Sequence, residues 1–420
     1  MFFSFIARLF GAKPAAPPAA VPTARRKAVV AATAMAPSAP TAPLPVIGAR
    51  RPLVDVKGRV AGFEFFVAHA TRERLLAQPD IMVQRAHFTA LLGSMRLCAQ
   101  SGQLAYAELP ASWLMGKVPE SAERHQFGLQ GFSDVSDASA LAKAVKEWRT
   151  AGAKFGWRKL ENAPPGLRPD FVVCTTALPP DGMAWVAPDM PDVDTLETAL
   201  RTGANWAGSA VRASAEPREV RALPPQARRL MRLLNQLVRD DDSAAVVSEI
   251  KDDAALSVRL LQHLNSPGVS RGHTLVSIDQ AVAVLGRDAL YHWISGLLVR
   301  LAPARPAAAS LQAQALWRAH LLEMVGRAAG EPQPGSLYLM GLVSLLPLLM
   351  QVSLSDALGS MQLPELAERA LLQRDGAWSG YLALVEAFEK PDLVAARALA
   401  APVGGLDAMM AMSSRAWQPA

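Results

Sequence analysis

The hydrophobic period changes across residues 214–224 (SAEPREVRALP), and that change limits the fold more than any other feature of the sequence. Before it, short β-rich runs alternate with helical stretches. Residues 53–56 and 60–68 flank a Lys57-Gly58 turn, and further strand candidates lie at 104–109, 127–132, 171–175, 184–187 and 206–211. Helical stretches near 71–100, 138–151 and 193–202 separate most of them, which is an α/β pattern. After the change, apolar residues recur at helical spacing: Leu230, Leu233, Leu234, Leu237 and Val238 make one face, and Leu290, Trp293, Ile294, Leu297 and Leu298 another. The chain therefore reads as α/β over 46–213 followed by all-α over 214–410. A complete (β/α)₈ barrel takes about 250 residues. The first part is much shorter, so the expectation is a shortened or incomplete barrel.

Residues 1–45 belong to neither part. From Pro14 to Pro45 the chain is almost all Ala, Pro, Val, Thr and Arg, a composition that buries too little surface to offset ordering, so this is read as a disordered basic tail. Residues 1–54 hold seven cations and no acid against a total of +6, which leaves −1 for the rest. The positive charge is thus a property of the tail, and it argues against a basic nucleic-acid groove in the folded part. Met1 to Lys13 pairs aromatic and aliphatic side chains with two cations, so residues 1–27 could make a weak contact with an anionic membrane surface or simply fray. The uncharged run at 336–354 approaches bilayer length but carries Ser344, Pro347 and Gln351, and reads as a buried helix. Cys98 and Cys174 form neither a disulfide framework nor a thiolate clip, which suits a reducing compartment. The expected location is cytoplasmic, with the tail as a contact to the inner membrane surface.

Three later segments have a more specific pattern: LPPQARRLMRLLNQL (223–237), SEIKDDAALSVRLLQHLNSP (248–267) and VSIDQAVAVLGRDALYHWI (276–294). Their order of capped helix, "I..D..L...LL...NS" core and "SI..A...LG...L..W" segment resembles the HDOD domain. LWRAHLLEMVGRAAG and LYLMGLVSLLPLLM continue it, and LPELAERALLQRDGAWSGYLALVEAFE resembles the helical tail of proteins that join an EAL domain to an HDOD domain. At the other end, RRPLVDVKGRVAGFEFF resembles the opening strand pair of an EAL domain. Together these segments resemble the two-domain EAL-HDOD bacterial signalling proteins of the YuxH-like type. The resemblance implies an EAL-type (β/α) barrel, here degenerate and shortened, followed by an all-helical HDOD domain, in signalling linked to cyclic di-GMP.

An EAL phosphodiesterase cleaves cyclic di-GMP with metal-activated water, which needs several carboxylates around one or two divalent cations. Glu64, in GFEFF, matches the Glu of the name-giving motif, but the other expected ligands are missing. The strand that should supply Asn reads AYAELP, with Ala107 or Glu108 near the place; Gly156, Trp157, Arg158 and Lys159 replace the paired aspartates; Pro188 and Pro191 replace glutamates, with Asp189 and Asp192 as imperfect substitutes. HD phosphohydrolases, which HDOD domains resemble in outline, need a His-Asp pair. None of the seven histidines precedes an Asp. His320 matches the position of the first metal-binding His, while Ser344 and Leu345 occupy the place of the pair. Glu64 and His320 are thus vestigial metal candidates, and both read better as locally hydrogen-bonded side chains. The sequence also lacks GxxxxGK[ST], GxGxxG and HExxH. The expectation is no catalytic residue, no cofactor and no enzyme activity.

The remaining candidates concern binding. Trp157, Arg158 and Lys159 either form a nucleotide-stacking patch or are a buried indole beside a solvated basic edge. Asp240 to Asp242 reads as helix capping before Ser243. Residues 277–298 have the outline of a helix-turn-helix, but the second helix offers little cationic reading surface, so sequence-specific nucleic-acid binding is the second-ranked reading and residual cyclic di-GMP hydrolysis the third. Arg287, Asp288, Tyr291 and His292 are the candidates for a protein interface, with Tyr291 as the aromatic anchor and Trp293 in the core. The leading expectation is a non-catalytic regulatory protein that binds other signalling proteins through its helical half, with cyclic di-GMP binding not expected.

Overall fold

The computed structural model describes residues 50–67, 69–77, 80–129, 135, 137–158, 163, 166–174, 182–239, 243–266, 275–390 and 393–417. The tail at 1–45, its membrane contact through 1–27, Lys159 and Asp240 to Asp242 lie outside the described residues.

Strands β1 (Arg50–Asp55) and β2 (Val60–Phe65) form an antiparallel hairpin, because the connection between them is too short for a crossover. Asp55 Oδ1 accepts from the backbone N–H groups of Lys57 and Arg59, both at 2.9 Å, and Gly58 supplies the positive φ of 68° that the turn requires. The chain continues through β3 (Leu104–Leu109), β4 (His125–Leu129), β5 (Lys154–Trp157), β6 (Phe171–Val173), β7 (Trp185–Met190) and β8 (Trp206–Ser209). From β2 to β8 each strand is parallel to the next, and β8 returns antiparallel to β1. The eight strands close into a barrel.

The expectation of an incomplete barrel is therefore corrected: closure is complete within residues 50–209. The strand absent from the sequence reading is β5, a four-residue KFGW run whose aromatic and basic neighbours suggested a surface patch. Economy comes from the connections instead. Among the described residues, four α-helices surround the eight strands: α1 (His69–Leu76), α2 (Ile81–Gln100), α3 (Ala138–Thr150) and α4 (Val193–Arg201). Asp80, Asp137 and Asp192 cap the last three through their carboxylates. Strand alternation directs Leu53, Tyr106, Phe171, Val173, Val186 and Trp206 into one interior cluster. Gly62 lies against Leu104 so closely that a Cβ would meet its carbonyl oxygen at 1.9 Å.

The second part is helical: α5 (Pro225–Val238), α6 (Ser243–Lys251), α7 (Ala254–Leu264), α8 (Ile278–Leu285), α9 (Arg287–Arg300), α10 (Ala308–Ala329), α11 (Pro334–Val343), α12 (Leu346–Met350), α13 (Leu354–Ser360), α14 (Glu365–Leu372), α15 (Ser379–Glu389), α16 (Leu393–Ala400) and α17 (Gly405–Ala416). Its core continues without a break into the outer face of the barrel, joining Val54, Ala187, Leu196 and Ala207 to Leu234, Leu260, Leu322 and Leu346. Trp417 stacks on Trp317 at 5.2 Å and meets Phe63 of β2 edge-on at 4.9 Å. Fully buried Arg318 donates to Val211 O (3.0 Å), Ser344 Oγ (2.8 Å) and both carboxylate oxygens of Glu389 (2.9 and 2.6 Å). The uncharged run at 336–354 forms part of α11, all of α12 and the entry to α13. Among the described residues no single helix is long and apolar enough to cross a membrane.

Helices α10 and α11 cross at close range because Gly341 has no side chain. A Cβ there would fall 2.8 Å from Ala319 Cα and from Arg318 O. This contact brings Tyr338 of α11 to the ring of His320 on α10, with centroids 5.2 Å apart.

Candidate functional site

Two clusters of ionisable side chains stand out, one in each part. The first lies at the C-terminal ends of the parallel barrel strands, where barrel enzymes place their chemistry. The hairpin register sets Arg51 directly opposite Glu64. Arg51 Nε and Nη2 donate to Glu64 Oε2 at 3.1 and 2.7 Å, and Nη2 also reaches Asp189 Oδ1 at 3.1 Å. Just beyond β5, Arg158 donates through Nε to Glu108 Oε2 at 3.2 Å and through Nη2 to Glu108 Oε1. Tyr106 donates its hydroxyl to the same Glu108 Oε1 at 3.2 Å.

Glu64 and Arg51 are only about 5% exposed, so their charges meet away from water. Burial pushes the Glu64 carboxyl up to about 7, with Arg51 pulling against it and Glu108 and Asp189 adding to the rise. A divalent cation needs carboxylate oxygens free to face it. Here two guanidinium groups hold Glu64 Oε2, Asp189 Oδ1 and both carboxylate oxygens of Glu108. Glu64 is therefore an ion-pair partner in the barrel mouth.

Of the nucleotide-stacking candidates, Trp157 and Arg158 lie among the described residues. Trp157 is completely buried in the barrel-side core, so its faces are taken by packing, and Arg158 is held by Glu108. The sequence reading missed Arg51, because its pairing with Glu64 depends on a register shift between Leu53 and Val54 that the turn at Lys57-Gly58 does not reveal.

The second cluster lies between α9 and α10. His292 of α9 and Glu323 of α10 meet through Nε2 and Oε2 at 3.0 Å, while Arg327, one turn along, donates to Glu323 Oε1 at 2.8 Å. His320 precedes Glu323 by three residues and so shares its helix face. Its ring lies 5.0 Å from that of His292, and the Tyr338 ring packs on both. Burial, reinforced by His292, lowers His320 to about 4, so it is neutral at pH 7. Burial opposes ionisation of Glu323, but the bonds from His292 and Arg327 prevail and hold its carboxyl below the usual range.

A cavity of about 230 Å³ opens onto this cluster, lined in part by Arg287, Asp288, His292, Glu323, Arg327 and Ser336. All four interface candidates thus line one cleft, but their roles differ from expectation. Tyr291 is corrected from a surface anchor to a core residue: it is 6% exposed and donates its hydroxyl to Gly335 O at 3.0 Å. The cause is helical phase, since Leu290, Tyr291 and Ile294 all turn inward. Trp293 is only half-buried and stacks on His263 at 5.9 Å. Arg287 donates to Leu237 O and Gln236 O, closing the C-terminal end of α5, and Asp288 is exposed. Glu323 was not singled out in the sequence, although the His-x-x-Glu spacing places both groups on one face.

The family model of the HDOD domain matches residues 221–368, so the helical part carries an HDOD domain. Over 160 residues the chain is 29% identical to the uncharacterized protein YuxH of Bacillus subtilis (strain 168), covering 37% of this chain and 39% of that protein. The chain thus spans about two-fifths of the length of the curated relative it matches. Similar solved structures include an EAL domain protein from Listeria monocytogenes EGD-e, with TM-score 0.29, 12% identity, and coverage of 39% of this chain and 85% of that one. Another is an HDOD domain protein with unknown function from Geobacter sulfurreducens, with TM-score 0.29, 17% identity, and coverage of 48% and 78%.

Proposed function

We propose that this is a regulatory signalling protein whose barrel, a degenerate EAL-type domain, does not hydrolyse cyclic di-GMP and whose output passes through the helical half to another protein. The observation that supports this reading is the pairing of Glu64, Glu108 and Asp189 with Arg51 and Arg158 at the strand ends. A metal ion would have to compete with both guanidinium groups for these oxygens, and the Arg51–Glu64 pair is buried. Water activation by a metal then has no ligand set to start from. With chemistry removed, a signal must be passed by contact, and the HDOD half is the part with a family match. Exposed Asp288 at the start of α9 and half-buried His292 and Trp293 give that half a mixed polar and aromatic surface. Residence in the bacterial cytoplasm belongs to the same reading.

The test is incubation of the full chain with cyclic di-GMP and Mg²⁺ or Mn²⁺. No linear product is expected. Turnover that Glu64→Ala abolishes would overturn the reading.

A further inference from the structure

We infer that His292, His320 and Glu323 form a binding site for one zinc-class divalent ion, independent of the barrel. One ligand atom from each of the three side chains lies within 4.8 Å of the other two. Zinc bonds of about 2.0–2.2 Å to nitrogen and oxygen place tetrahedral ligand atoms roughly 3.3 Å apart. The cluster therefore needs only a small contraction, achievable by side-chain rotation. The hydrogen bond between His292 and Glu323 accounts for two of the three groups. It does not account for His320, which α10 carries to the same point by its three-residue spacing from Glu323.

Two imidazoles and one carboxylate form a donor set suited to Zn²⁺ and its borderline neighbours, whereas Mg²⁺ and Ca²⁺ prefer oxygen alone. The only two cysteines of the chain, Cys98 and Cys174, are buried in the barrel part and offer no competing thiolate here. Arg327 holds the second oxygen of Glu323, the kind of outer contact that orients a ligating carboxylate. On the outward side, the 230 Å³ cavity reaches His292 and Glu323 and leaves room for water or an exogenous group as fourth ligand.

This is a different constellation from the His, His-Asp arrangement of HD phosphohydrolases. Only His320 coincides with it, and Ser344, at the place of the pair, is bonded to Arg318 and Gly341 O. Without a His-Asp pair, the ion would serve to tie α9 to α10 beside the exposed start of α9.

The test uses the full chain, stripped with a chelator and titrated with Co²⁺ as a spectroscopic stand-in for Zn²⁺. One equivalent should bind, give the visible absorption of a tetrahedral nitrogen and oxygen site, and be displaced by Zn²⁺. His292→Ala and His320→Ala should each weaken binding by at least the roughly 10- to 100-fold that loss of a supporting contact costs. Glu64→Gln, in the barrel, should leave it unchanged. X-ray absorption of the Zn²⁺-loaded wild-type protein gives a readout that needs no variant: two imidazoles and no sulfur are expected. Failure to bind one equivalent, unchanged affinity in the His292→Ala/His320→Ala double variant, or a sulfur ligand would overturn the assignment.

Discussion

The barrel mouth and the α9–α10 cleft both gather carboxylates and bases, yet they do so to opposite effect. In the barrel, Glu64, Glu108 and Asp189 face permanently charged guanidinium groups in ion pairs. Arginine cannot release its proton, so the charge is cancelled in place. In the cleft, Glu323 faces imidazoles, and His320 is held neutral. A neutral imidazole keeps a lone pair that can take a proton or a metal. The identity of the cation beside a carboxylate therefore separates a structural clasp from a site that can still bind.

The sharpest way to break this comparison is to remove the clasp. Arg51→Ala strands Glu64 in the interior and should destabilise the protein by about 3–5 kcal/mol in urea unfolding. The double replacement Arg51→Met/Glu64→Gln removes both charges and should recover most of that loss. If Arg51→Ala costs no more than an exposed substitution, the clasp is not structural. In the helical half, Gly341→Ala forces α10 and α11 apart and should cost about 1–3 kcal/mol by overpacking. It should also disturb the Tyr338 packing on His320, visible as a change in the His320 ring proton shifts.

The pH dependence sharpens the contrast, because the two clusters slope in opposite directions. Glu64 is raised from 4.5 to about 7 in the folded state, so the native protein holds more protons than the unfolded chain across that window. Its contribution to stability is present at the acid end and is lost as pH rises through it. His320 is lowered from 6.5 to about 4, so the native state holds fewer protons there, and its contribution is lost as pH falls through that window. Urea midpoints of chelator-treated protein should show Glu64→Gln flattening the first slope and His320→Gln flattening the second. Equal profiles for both variants and wild type would remove this distinction.

The smallest expected effect concerns Tyr291. Replacing it with Phe removes one buried hydrogen bond to Gly335 O and should cost about 1 kcal/mol. A stability loss near zero, with lost partner capture, would restore Tyr291 as a surface anchor.

Much of the fold is legible in the sequence because it rests on local pattern. The change of period at 214–224 separates barrel from helices, and the glycine turn at Lys57-Gly58 marks the hairpin. What escapes is the strand Lys154–Trp157, too short for alternation to register, and with it the closure of the barrel. Helical phase at Tyr291 also escapes, since α9 carries apolar residues around much of its circumference and its inward face is chosen by neighbours far away in sequence. Site residues divide in the same way. Arg51 opposite Glu64 depends on a register shift between Leu53 and Val54 that the turn alone does not reveal, whereas Glu323 follows from its spacing to His320. The meeting of His292 with both depends on how α9 packs on α10, which no local pattern encodes.

Location of a divalent ion tests the whole contrast at once. Crystals of the full chain soaked in Co²⁺ and measured at its absorption edge should give an anomalous peak between His292, His320 and Glu323, and none between Glu64, Glu108 and Asp189. A peak in the barrel mouth, with Arg51 and Arg158 swung away from their carboxylates, would contradict the account.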